Sequence, residues 1–182
     1  MIVDAHHHLW DPRLRRHAWL DTLPQLRRPF GSSEFAQLAA EHSVTASVLV
    51  QVLASTEETE EFLALAAAGP LVAGVIGWAD LTALDVADQI ARLRQLPGGA
   101  RLVGIRHLVQ DEPDPYANRL LDCFGPGRLM FGSDWPVCTL AAGYGDVLQL
   151  ATAVLAARLG PADSDAVLAG NAARIYRLGL AR

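Results

Sequence analysis

Three groups of side chains in this sequence have the types and spacing to do chemistry. The first is Asp4-Ala5-His6-His7-His8. Alternate residues of an extended strand share a side, so His6 and His8 can turn two imidazoles toward one metal ion or one substrate oxygen. The plain alternative is a histidine cluster that holds no metal, or a tag remnant; Asp4 and Trp10 flank it in a strand-like context. The second group is Gly132-Ser133-Asp134-Trp135-Pro136. An aspartate at a strand end, after a glycine that permits close backbone approach, suits a general base or a metal ligand. Its plain alternative is a turn or helix-capping aspartate. The third is Gly104-Ile105-Arg106-His107. An inward Arg106 at a strand end offers a planar fork of donors to a carboxylate or hydroxyl, or an ion pair to one of the acidic residues. His107 falls on the opposite parity and reads as structural.

Weaker candidates surround these. Gln51 and Trp78 sit at the ends of two further strand-like runs and read as substrate contacts, with core packing the alternative for Trp78. Cys123 and Cys138 are fifteen residues apart with no second pair, which is neither a zinc site nor a disulfide framework, and buried packing is the default for both. Ser133 lacks the Gly-x-Ser-x-Gly elbow, so a serine-hydrolase reading is poor.

The elements that must position these residues alternate. Strand-like runs are Ile2 to Ala5, Val44 to Gln51, Leu71 to Trp78, Arg101 to His107 and Arg128 to Phe131. Helical patterns lie between and after them, over Ser33 to His42, Glu57 to Ala68, Leu84 to Gln95, Tyr144 to Leu159 and Asp163 to Leu178. Ser55 and Glu58 stand at capping-box spacing before the second helix. Strands alternating with helices predict a parallel α/β sheet in a single domain over 1–182. Parity predicts that Ile2, Asp4, His6 and His8 share a face. It also predicts that Val44, Ala46, Val48 and Val50 face the helices while Thr45, Ser47, Leu49 and Gln51 point inward. His6, His8, Gln51, Arg106 and Asp134 then gather at the C-terminal strand ends, where parallel α/β folds build their sites.

Composition narrows the classes. The 182 residues are 51% hydrophobic and 19% charged, enough apolar material for a core. With 15 basic residues against 20 acidic, the net charge is −5, and no basic stripe favours a nucleic-acid partner. Every basic residue other than histidine is arginine, so no lysine can form a Schiff base or carry a metal-bridging carbamate. No apolar run reaches the roughly 18 residues of a membrane helix, the N-terminus does not read as a signal peptide, and the two cysteines fit a reducing cytoplasm. The Ala-, Leu- and Arg-rich, lysine-free composition points to a GC-rich bacterial source.

Asp-Ala-His-x-His after an N-terminal strand, combined with Gly-Ser-Asp-Trp-Pro near the C-terminus, resembles the amidohydrolase superfamily. The resemblance is to its lactonase branch, which includes pyrone-dicarboxylate hydrolase and the fucono- and rhamnono-lactonases. The opening through Leu9-Trp10-Asp11-Pro12, Gly77 to Leu81, Val103 to Pro113, Phe124 to Val137 and Asn171 to Tyr176 carry it further. The resemblance implies a (β/α)₈ barrel and hydrolysis of a cyclic ester, with Asp134 activating water and His6 and His8 as the strand-one histidines. It implies one divalent ion, such as zinc, held by His6, His8 and Asp134, or none, since the branch includes members that work without metal. Arg106 matches a substrate-contacting arginine more loosely.

The chain departs from that pattern. A complete barrel needs about 250 residues, and five strand candidates replace eight. Val103 to Pro113 reads as the fourth unit and Tyr116 to Phe124 as the helix before the eighth strand. This places an internal deletion of three units, on the order of 90 residues, near 113–116. The branch's Asp-His-x-Gly-Lys-Pro stretch is absent with them. The expected architecture is an incomplete TIM-barrel-like sheet with strand eight beside strand one. Exposed strand edges would then favour a homo-oligomer. The leading functional reading is a lactone hydrolase acting on a small molecule; the alternative is a truncated, catalytically inactive remnant.

Overall fold

The computed structural model describes residues 1–80, 83–106 and 125–180. Four strands form one parallel sheet in chain order: β1 (Ile2–His7), β2 (Val44–Val50), β3 (Val72–Gly77) and β4 (Leu102–Ile105). Parallel neighbours need a crossover, and helices supply it: α1 (Ser32–Glu41), α2 (Thr56–Ala68) and α3 (Val86–Gln95). At the α2 start, Ser55 Oγ accepts the Glu58 N–H at 3.1 Å, as its spacing predicts. The reciprocal half of the box does not form. The Glu58 carboxylate instead accepts from Val52 and Leu53 N–H at 2.7 and 2.9 Å, fixing the loop that leaves β2.

A fifth extended segment, residues 131–135, runs parallel to the other edge of β1. Ala5 N–H donates to Phe131 O (3.0 Å), Asp134 N–H to His6 O (2.8 Å) and His8 N–H to Trp135 O (2.7 Å). The expected fifth strand is therefore present but displaced toward the C-terminus, because Pro126–Arg128 forms a 3₁₀ turn. Among the described residues no ladder joins this segment to β4, and the sheet is an incomplete barrel of five parallel lines.

Phe35 and Ala39 of α1, Phe62, Leu63 and Ala66 of α2 and Leu93 of α3 share one core cluster with Leu49, Val75 and Leu102 of the sheet. After the fifth segment, α4 (Tyr144–Arg158) leads to a C-terminal helical run. That run comprises α5 (Pro161–Asp165), a π turn over Ala166–Gly170 and α6 (Asn171–Ile175). Its Ala169 and Ala172 pack on Val3, Ala5 and Ala46. Asn171 Nδ2 donates to the carbonyls of Pro126 and Leu129, anchoring the run beneath the fifth segment. Among the described residues no helix is long and apolar enough to cross a membrane.

Two facing expectations are corrected. Leu49 joins the α1/α2 cluster instead of pointing inward. Ser47 bonds His7, whose ring stacks on Phe35 of α1 at 3.7 Å. Strands buried on both faces are apolar on both, so polarity ranking does not label which face is which. In β1, the register shifts between Asp4 and His7. Asp4 consequently leaves the face of His6 and His8 and turns toward Ser133 and Tyr144. The expected deletion near 113–116, His107 and Cys123 lie outside the described residues.

Candidate active site

His6, His8 and Asp134 converge. His6 Nε2 lies 3.1 Å from His8 Nε2. Asp134 Oδ1 lies 3.6 Å from His6 Nε2 and 3.2 Å from His8 Nε2. Close approach of the fifth segment to β1 makes this possible: a Cβ on Gly132 would stand 2.6 Å from His6 Cβ, so only glycine fits. Asp134 itself adopts φ 55°, the left-handed region that non-glycine residues avoid. Its N–H bond to His6 O and its carbonyl's bond from Cys138 N–H hold it there.

Hydrogen bonding sets the protons. His8 Nδ1–H donates to Val50 O at 2.9 Å, which leaves the Nε2 lone pair facing the cluster. Arg106 Nη1 donates to His6 Nε2 at 3.4 Å, so that nitrogen also accepts. Two imidazole lone pairs and a carboxylate oxygen thus face one another, an arrangement that favours a cation between them. Tetrahedral zinc with ligand bonds of about 2.0–2.1 Å separates its ligand atoms by roughly 3.3 Å. The three separations here fall on either side of that value. The donor set, its spacing and the fixed His8 tautomer fit a divalent ion.

Electrostatics agrees. Burial lowers the His6 pKa to about 4, with the His8 and Arg106 charges adding to it and Asp134 opposing. His6 is therefore neutral and ligand-ready at neutral pH. Burial tends to raise the Asp134 pKa, but the neighbouring His8, His6 and Arg106 outweigh it, holding the carboxyl below its ordinary range. The Asp134 side chain is 50% exposed and that of His6 40%, so both open to solvent, while His8 at 8% is the buried anchor.

Of the other expected site residues, only Arg106 reaches this cluster. Gln51 is fully buried and donates through Nε2 to Arg106 O at 3.3 Å, and its Oε1 has no partner among the described residues. It supports the Arg106 backbone instead of joining the histidines. Trp78 is half-buried, with its backbone N–H tied to Thr59 Oγ1 and its indole N–H unpartnered among the described residues. Cys138 packs against the core, and burial with the Asp134 and Asp4 charges pushes its thiol up to about 11.

Sequence reasoning missed the support beneath the cluster. Asp4 is fully buried. Its Oδ1 accepts from Ser133 N–H (3.0 Å) and His6 N–H (3.1 Å), and its Oδ2 from Ser133 O–H (2.5 Å) and Tyr144 O–H (3.0 Å). Parity had grouped Asp4 with the histidines, and nothing in the local sequence marks Tyr144 as its partner.

The amidohydrolase family profile matches residues 3–119 and 111–178. The chain belongs to the amidohydrolase family. An L-fucono-1,5-lactonase of Burkholderia multivorans is 25% identical over 287 residues, covering 97% of this chain and 96% of that protein. An L-fucono-1,5-lactonase of Burkholderia ambifaria is 36% identical over 113 residues, which are 62% of this chain and 38% of that one. Two crystal structures of an amidohydrolase from Burkholderia multivorans, one with bound HEPES and one with bound zinc, superimpose with a TM-score of 0.85 at 24% identity. Each match covers 97% of this chain and 99% of the other. Amidohydrolase 2 from Bifidobacterium longum subsp. infantis gives a TM-score of 0.61 at 18% identity. These likenesses fix the fold as an amidohydrolase barrel, of which the described sheet is an incomplete version.

Proposed function

We propose that this amidohydrolase hydrolyses a cyclic ester of the sugar-lactone class. The observation that carries the reading is the convergence of His6 Nε2, His8 Nε2 and Asp134 Oδ1, all within 4.8 Å of one another. The names of the two Burkholderia relatives support the substrate class. Asp134, the most exposed of the three, accepts the proton of an incoming water as its oxygen bonds to the lactone carbonyl carbon. The ring C–O bond then breaks, and the departing ring oxygen takes the proton held by Asp134, which gives the open hydroxy acid and restores the carboxylate. The Arg106 guanidinium, held beside His6, anchors a substrate hydroxyl or carboxylate. His6, His8 and Asp134 would hold a divalent ion such as zinc, which when bound polarises the ester carbonyl.

An internal deletion of about three βα units is part of the reading. It is supported by the length of the first alignment, 287 positions for a 182-residue chain. It is also supported by the division of the family match into two segments that meet at 111–119. Because the described sheet has no ladder closing it beyond β4, a catalytically silent remnant is the competing outcome. The test is hydrolysis of an aldonolactone panel, including L-fucono-1,5-lactone, by the 182-residue chain beside Asp134→Asn, both checked for folding. The expected result is turnover that Asp134→Asn abolishes. Equal rates in the two chains would overturn the role of Asp134, and no turnover from a folded wild-type chain would favour the remnant.

A further inference from the structure

We infer that Asp4 is a positioning residue whose carboxylate latches the Ser133–Asp134 turn to β1, and so sets where the Asp134 oxygen stands against the two imidazoles. The inference rests on reading His6, His8 and Asp134 as a working cluster. Asp4 touches none of the three side chains and acts through their backbone. Two of its four bonds reach Ser133, the residue before Asp134, and a third holds the N–H of His6. Ser133 Oγ, having given its hydrogen to Asp4, accepts the N–H of Trp135 at 3.0 Å, so the residue after Asp134 is tied to the same network. Asp134 N–H closes the circuit on His6 O at 2.8 Å.

Two features make this latch consequential. The left-handed φ of Asp134 persists only if its surroundings over-determine it. In addition, among the described residues segment 131–135 takes its strand pairing from β1 alone, so the Asp4 network is a large share of what ties it there. Tyr144 carries the fourth bond into α4, where it is buried and stacks with His42 at 5.5 Å. The Ser133 hydroxyl that looked like a failed nucleophile is instead committed to Asp4.

The test compares wild type with Asp4→Asn, Ser133→Ala and a core control, Leu93→Val in α3. It reads amide hydrogen exchange and the zinc dissociation constant in each. Asn keeps the size of Asp4 but presents an amide N–H₂ where hydroxyls already donate. The expected result is at least about 10-fold faster exchange at the Asp134 and Trp135 amides, relative to those of β2, in Asp4→Asn and Ser133→Ala. Zinc binding should weaken about 10- to 100-fold in both variants, the range for supporting residues of metal sites. Leu93→Val should leave zinc affinity unchanged. Exchange rising equally across β1, β2 and β3 would overturn the proposal, as would zinc affinity unchanged beside a loosened turn. If wild type binds no zinc, the metal reading fails, and the exchange pattern alone decides the latch.

Discussion

Gly132→Ala tests the closeness of the fifth segment to β1. The added methyl would sit 2.6 Å from His6 Cβ, 3.3 Å from His6 N and 3.4 Å from its Cα. Carbon atoms in contact prefer about 3.5–4.0 Å, so the two backbones must separate by roughly 1 Å. Neither neighbour can yield by rotating a side chain, because the atoms met are backbone or the first side-chain carbon. Overpacking of this kind costs about 1–3 kcal/mol. For a chain of this size each kcal/mol lowers Tm by about 2–4 °C, giving a fall of roughly 2–12 °C. The same displacement moves Asp134 away from His6 and His8, and about 1 Å of misplacement can cost on the order of 100-fold in rate. The assays are thermal and urea unfolding, with zinc binding and lactone hydrolysis in parallel. Gly69→Ala is the control: its Cβ meets nothing within 4 Å and its φ of −164° is open to any residue. That control should be neutral or stabilising by about 0.4–1 kcal/mol. A Gly132→Ala protein within about 0.5 kcal/mol of wild type and with unchanged zinc affinity would refute the reasoning.

Two further predictions concern protons and the arginine. His7 is fully buried, stacked on Phe35, and burial holds its pKa well below 6.5, with the His8 and His6 charges adding to the shift. The unfolded chain therefore binds a proton that the folded chain refuses. Stability is full above about pH 6.5 and declines toward acid with a slope of up to about 1.4 kcal/mol per pH unit from this residue. Urea unfolding between pH 7 and 5 should show a shallower slope in His7→Gln, and an unchanged slope would remove His7 as the cause. Arg106→Lys keeps the charge but loses the planar fork that reaches His6, so KM for a lactone should rise about 10-fold or more with a smaller change in kcat. A fall in kcat alone would instead place Arg106 at the reacting atoms.

Much of the scaffold was legible because local chemistry and element period agree. Ser55 announces the start of α2, and the observed α1, α2, α3 and α4 depart from their sequence-based bounds by one or two residues. His6, His8 and Asp134 were legible for the same reason, since each lies at a strand end that the βα alternation places on one rim. The facing of β2 was less legible. Its residues alternate, but burial on both sides removes the polarity contrast that would tell helix side from interior, and Leu49 went to the helices.

What the sequence by itself determined is the parallel order of the strands and which three side chains, His6, His8 and Asp134, gather at the strand ends, since both follow from short-range pattern and residue type. What only the tertiary structure decided is how these are held. The register shift in β1 separates Asp4 from the histidines it precedes. Gly132 lets two backbones approach, and Asp4 meets Tyr144 across 140 residues of chain. Arg106 comes to His6 across 100 residues, past a fold in which residues 131–135 lie beside β1. Contacts at such separations depend on where whole elements pack, and no window of sequence short enough to have a period contains both partners.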